Sequence, residues 1–114
     1  MAREDPPGWV VLLPLKRLGA AKSRLDHPHR ALLARAMATD TARAAANAGR
    51  DVVAAVLLVT NDPAVGAIVE ELTDSPDAAP VVAVADLPDR GLNPALRHGA
   101  RVAARRWPGH PVAA

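Results

Sequence analysis

Residues 14–25 read PLKRLGAAKSRL, with Lys16, Arg17, Lys22 and Arg24 in twelve positions and no acid among them. Four cations so close together can neutralise about three to four negative charges, the number that a nucleoside triphosphate carries on one flexible chain. Lysine offers a point charge and arginine a two-pronged donor for phosphate oxygens. Ser23 adds a hydroxyl, and Gly19 lets backbone approach a ligand. The same composition also suits a solvated cationic loop. No GxxxxGK[ST] or GxGxxG pattern is present, so neither a Walker A loop nor a Rossmann fingerprint is at hand.

A second candidate segment is GLN at 91–93, ahead of Pro94. Asn93 stands where a helix N-cap belongs. Its amide could instead meet a base or ribose beside a helix N-terminus, whose positive end favours phosphate. Arg97, one turn on, points to a similar place. Asp40 falls at helical spacing with Leu33, Ala36, Met37 and Ala44, on what reads as an apolar stripe. A carboxylate buried there needs a partner, either backbone or an arginine of the basic loop. Asp86 and Asp89 could offer carboxylates to a divalent cation but read more simply as loop acids. His27, His29, His98 and His110 show no metal-ligand spacing, and no Ser-His-Asp set or carboxylate dyad can be argued.

The elements that must position these residues alternate. WVVLL (9–13) is a short, wholly apolar run, the pattern of a strand buried on both faces. After the basic loop, Arg30 to Ala48 is free of Gly and Pro and predicts a helix that stops at Gly49. VVAAVLLVT (52–60) predicts a second strand. Asn61 or Asp62 can cap a helix with Pro63 in its first turn, running to Leu72. PVVAVA (80–85) predicts a third strand, DLPDRGLNP an irregular loop, and Pro94 to Arg106 a third helix. PVAA at the end reads as the start of a fourth strand. The order β-α-β-α-β-α-(β) with apolar strands predicts an α/β protein: a parallel sheet with helices on both faces. Both irregular loops follow strands, so both should open at the carboxyl edge, where ligands bind in such folds.

Composition sets bounds. At 114 residues the chain has room for one domain, a polar tail over 1–8 and the folded unit over 9–114. Alanine supplies 26 residues, Phe and Tyr are absent, and only Trp9 and Trp107 are aromatic. A core so rich in alanine buries little area per residue and stabilises weakly. Without cysteine there are no disulfides or thiolate metal sites. The start, MAREDPPG, lacks the apolar stretch of a signal peptide, and no run approaches a membrane span, so a cytoplasmic protein without membrane contact is expected. The net charge of +2 conceals segregation: nine Lys/Arg against four acids in 1–50, eight acids and no Lys/Arg in 51–89, and five Arg without an acid in 90–114.

PLKRLGAAKSRL, AMATDTARAA, LLVTND and GLNPALRHGAR, in this order, resemble one family: the guanylyltransferases that activate phosphoenolpyruvate or 2-phospho-L-lactate in the biosynthesis of coenzyme F-420. The resemblance runs from Trp9 to the last residue. It implies a three-layer nucleotidyltransferase fold (GT-A-like, Rossmann-like) with a mostly parallel sheet, GTP as donor, Mg²⁺ as cofactor, and a small phosphorylated carboxylic acid as acceptor. It assigns Lys16, Lys22 and Arg24 to the triphosphate as catalytic groups. Leu15 and Ser23 join them in the nucleotide site, with Gly91 and Asn93 at the nucleoside. Family members are nearly twice as long and carry an Asp-Leu-Pro metal motif after the fourth strand. The DLP at 86–88 precedes GLN and is not that motif. The expectation is therefore a truncated, N-terminal portion, weakly active or inactive, with its Mg²⁺ ligands beyond Ala114. A non-catalytic nucleotide-binding module is the alternative. A nucleic-acid-binding protein ranks below both, since stacking aromatics and a binding motif are lacking.

Overall fold

The computed structural model describes residues 8–15, 30–73, 76–87 and 89–114. Within them the order is β1 (Trp9–Pro14), α1 (Arg30–Ala46), β2 (Val53–Val59), α2 (Val65–Leu72), β3 (Val81–Val84), α3 (Leu92–Arg106) and β4 (Val112–Ala113). The four strands form one sheet in the order β3-β2-β1-β4, and every pair is parallel. The alternating α/β arrangement read from the sequence is the one observed.

The wholly apolar strands follow from burial on both faces. Along β2, Val56 and Leu58 face one core with Ala42 and Ala46 of α1 and Ile68 and Leu72 of α2. Their neighbours Ala55, Leu57 and Val59 face the other core, with Ala95, Val102 and Ala103 of α3. Alternation along a strand thus feeds two cores from one run of residues. β1 is split in the same way: Val10 and Leu12 join the α3 side, while Val11 and Leu13 pack on the other. Small residues set the spacing of α3. A Cβ at Gly99 would lie 2.9 Å from Val59 Cγ2 and 3.4 Å from Leu12 Cδ1, so the helix backbone sits directly on the central strands.

The chain runs β1, β2, β3 in one direction across the sheet and then returns over α3 to place β4 on the far side of β1. β1 and β4 therefore flank the point where the strand order reverses. In open α/β sheets the ligand crevice lies there, outside the carboxyl ends of the strands.

Three expectations are corrected. Asp40 is not a buried acid. Its side chain is 77% exposed, 3.4 Å from the half-exposed Arg43 guanidinium. Leu33 and Met37, each 63% exposed, lie on the same outward side, while Thr39, Ala42 and Ala46 face the sheet. Alanines make the inward face of α1 because a small side chain lets the helix approach, so the larger apolar residues mark the wrong face. Asn93 is not the N-cap of α3. Gly91 holds that position, at φ 98°, and Asn93 falls within the first turn. The positive φ of Gly91 turns the chain into the helix two residues early, and Pro94 is still tolerated because first-turn N–H groups lack helical partners. α2 opens at Val65, not Pro63. The buried Asp62 makes a turn ahead of it instead: its Oδ1 accepts from the Ala64 N–H at 2.8 Å.

Candidate functional site at the carboxyl edge of the sheet

Three loops leave the carboxyl ends of β1, β2 and β3. The first leaves β1 at Leu15, whose N–H donates to the Val59 carbonyl at 3.0 Å and whose side chain packs against the core shared with α1 and α2. Leu15 is thus tied to the sheet at the position from which the basic segment departs. Lys16, Lys22, Ser23 and Arg24 lie outside the described residues, as do Arg17 and Gly19.

The second loop follows β2 as Thr60, Asn61 and Asp62. Thr60 and Asp62 are buried, and the Thr60 Oγ1 accepts from the Asp62 N–H at 3.1 Å. Asn61 reaches across to the third loop. Its Nδ2 donates to the Asp86 carbonyl at 2.8 Å, and its Oδ1 accepts from the Asp86 N–H at 2.9 Å. Sequence reading treated Asn61 as a possible helix cap and missed this bridge. The apolar run ending in TND marked the loop, but the partner is 25 residues away and no local pattern could name it.

The third loop runs from Ala85 to Gly91 and opens α3. Gly91 and Asn93 are exposed here, Gly91 as the N-cap of α3 and Asn93 within the first turn, at the positive end of a fifteen-residue helix. Arg97 is exposed one turn further along. Thus the described members of the predicted set, Leu15, Gly91 and Asn93, all stand at the carboxyl edge of one sheet.

Metal chemistry finds little support in this part of the molecule. Among the described residues no group of three or more His, Cys, Asp or Glu could hold a metal ion. Asp86 has a buried Oδ1 without a hydrogen-bond partner among the described residues, but one carboxylate is a poor match for an octahedral Mg²⁺ site. The described residues do not make a Mg²⁺ site. His110 serves structure at the opposite edge, its Nδ1 2.8 Å from the Gly8 carbonyl beside the start of β1. A cleft of about 410 Å³ between the carboxyl-terminal ends of α1 and α2, lined in part by Arg43, Asn47 and Glu71, also lies at that edge, away from the loops above. No described helix is long and apolar enough to cross a membrane.

No protein-family profile matches the chain. Individual curated proteins do. A phosphoenolpyruvate guanylyltransferase of Frankia casuarinae is 46% identical over 119 aligned positions, covering 93% of this chain and 41% of the relative. A protein of the same name from Salinispora arenicola is 48% identical, over 87% of this chain and 44% of its own length. One from Streptosporangium roseum is 39% identical over the whole chain and 48% of its own length. The chain spans a little under half the length of these relatives. Across that span it resembles the N-terminal half of the phosphoenolpyruvate guanylyltransferase family.

Proposed function

We propose that this chain supplies the GTP-binding part of a guanylyltransferase of coenzyme F-420 biosynthesis. The reaction moves GMP from GTP to phosphoenolpyruvate or 2-phospho-L-lactate. A phosphate oxygen of the acceptor forms a bond to the α-phosphorus of GTP. The bond from that phosphorus to the bridging oxygen breaks, and pyrophosphate leaves with the electron pair. The observation that carries this reading is the identity of 39–48% to proteins named for that activity, over 87–100% of the chain.

The residues fit the roles such a reaction needs. Charge on the transferring phosphate must be offset and the acceptor held in line, so positioning and electrostatics supply most of the catalysis. Lys16, Lys22 and Arg24 are the groups assigned to the triphosphate, with Ser23 beside them. Leu15 carries the segment from the sheet. Gly91 and Asn93 are assigned to the nucleoside, at the first turn of α3. Mg²⁺ enters as the counter-ion of the triphosphate and would offset its charge. None of the described residues is assigned to it.

Two measurements test the reading. Titration with GTP and ATP should show preferential GTP binding, weakened about tenfold by Asn93→Asp, which exchanges an amide donor for a charge. Stability should hold or rise by about 0.3–1 kcal/mol, because an acid in the first turn suits the helix dipole. Unchanged binding by that variant removes Asn93 from the site. Pyrophosphate release from GTP, assayed with phosphoenolpyruvate and with 2-phospho-L-lactate, then identifies the acceptor. GTP binding with no release under either acceptor favours the non-catalytic nucleotide-binding module.

A further inference from the structure

The loop between β3 and α3 is held by a side chain from another strand. Main-chain pairing of β2 with β3 ends where the Thr60 N–H donates to the Val84 carbonyl at 2.9 Å. One residue further, the Asn61 amide both donates to and accepts from the backbone of Asp86. A primary amide has the donor and acceptor geometry of a peptide group, so Asn61 adds a rung to the ladder after the strands have separated. Both ends of its side chain are thereby engaged.

The segment so held is costly in its own conformation. Asp86 keeps a buried Oδ1 without a hydrogen-bond partner among the described residues. Asp89 sits at φ 61° and Gly91 at φ 98°. An unpartnered buried oxygen and a left-handed aspartate each raise the energy of the loop, and such features persist only where surrounding structure imposes them. Asn61 is a contact that does so. The consequence reaches the candidate site, because Asp86 lies five residues before Gly91, the residue that turns the chain into α3 and presents Asn93.

We propose that Asn61 is a positioning residue for nucleotide binding: by clamping the Asp86 backbone it fixes the loop that carries Gly91 and Asn93 at the carboxyl edge of the sheet. The inference rests on the nucleotide reading above for its ligand, but not for the clamp itself. Asn61 acts through the loop, so it should affect the nucleoside end of the ligand and leave the phosphate end alone.

The test uses the whole chain and the variants Asn61→Ala and Asn61→Asp. Amide hydrogen exchange followed by NMR, without any ligand, reads the clamp directly. In Asn61→Ala the Asp86 amide should exchange at least tenfold faster and the Gly91 and Asn93 resonances should shift, while amides within β2 keep their protection. Asn61→Asp keeps an acceptor for the Asp86 N–H and should retain more of that protection; it carries this readout if the alanine variant does not fold. Titration with GTP and with inorganic tripolyphosphate reads the consequence. Asn61→Ala should weaken GTP about tenfold and change tripolyphosphate by less than twofold. In Asn61→Asp the added charge acts on both ligands, so GTP should weaken further than tripolyphosphate. Wild-type protection at Asp86 in Asn61→Ala overturns the clamp. Equal weakening of both ligands, or unchanged GTP binding with the Asp86 amide released, overturns the positioning role. A wild-type chain that binds tripolyphosphate and GTP equally instead overturns the nucleoside assignment of Gly91 and Asn93, while the exchange data still decide the clamp.

Discussion

Gly91 occupies backbone space at φ 98°, ψ −174°, a region that is essentially closed to residues with a side chain. Among the described residues nothing lies within 4 Å of where its Cβ would be, so the constraint is conformational and not steric crowding from neighbours. Gly91→Ala should therefore destabilise the chain by about 1–3 kcal/mol, measured by urea denaturation, with no change in the slope of the transition. A loss well below this range would mean that the loop relaxes into another path to α3. At this scale the sequence was informative about residue type and poor about partners. GLN before a proline announces a turn into a helix. Which of the three residues caps it depends on a backbone angle that the letters do not carry. Asn61 illustrates the same gap, because its role is set by a main-chain group brought near only by pairing of β2 with β3.

At the scale of the element, α1 shows how a periodic pattern can be assigned to the wrong side. Leu33, Met37 and Asp40 share one face, and by size that face looks like the core. The structure buries Ala42, fully enclosed, and Ala46 instead. Because the Arg43–Asp40 pair is largely exposed, it contributes little, of order 0–1 kcal/mol. Asp40→Ala should thus change stability by less than about 0.5 kcal/mol. Ala42→Asp should cost about 3 kcal/mol or more, since it inserts a charge between α1 and the sheet. Thermal denaturation of the two variants, side by side, checks the orientation of the helix; a reversed ranking would return Asp40 to the interior. Thr39 is buried on the inward side without penalty because its hydroxyl donates to the Arg35 carbonyl at 2.8 Å.

For the whole molecule the segregation of charge is the feature with consequences. The basic 14–25 segment is followed much later by an acid-rich stretch and then by an arginine-rich end. If the first of these meets the triphosphate, binding should depend on ionic strength. Raising salt from about 50 to 500 mM should weaken GTP binding severalfold in the wild type and much less in Lys22→Ala/Arg24→Ala, measured by calorimetry. Equal salt dependence in both would take those two cations out of the site. The alternation of apolar runs with helical segments determined the α/β class, the parallel sheet and the loops that bear the candidate residues, because burial on both faces and helical periodicity leave local marks in composition. Tertiary structure alone decided which face of α1 is inside, which residue caps α3, and that Asn61 grips Asp86. Each of those depends on the distance between elements that are far apart in the chain. Alanine and glycine set that distance by what they leave out, and a small residue gives no sign, in the sequence, of what will pack against it.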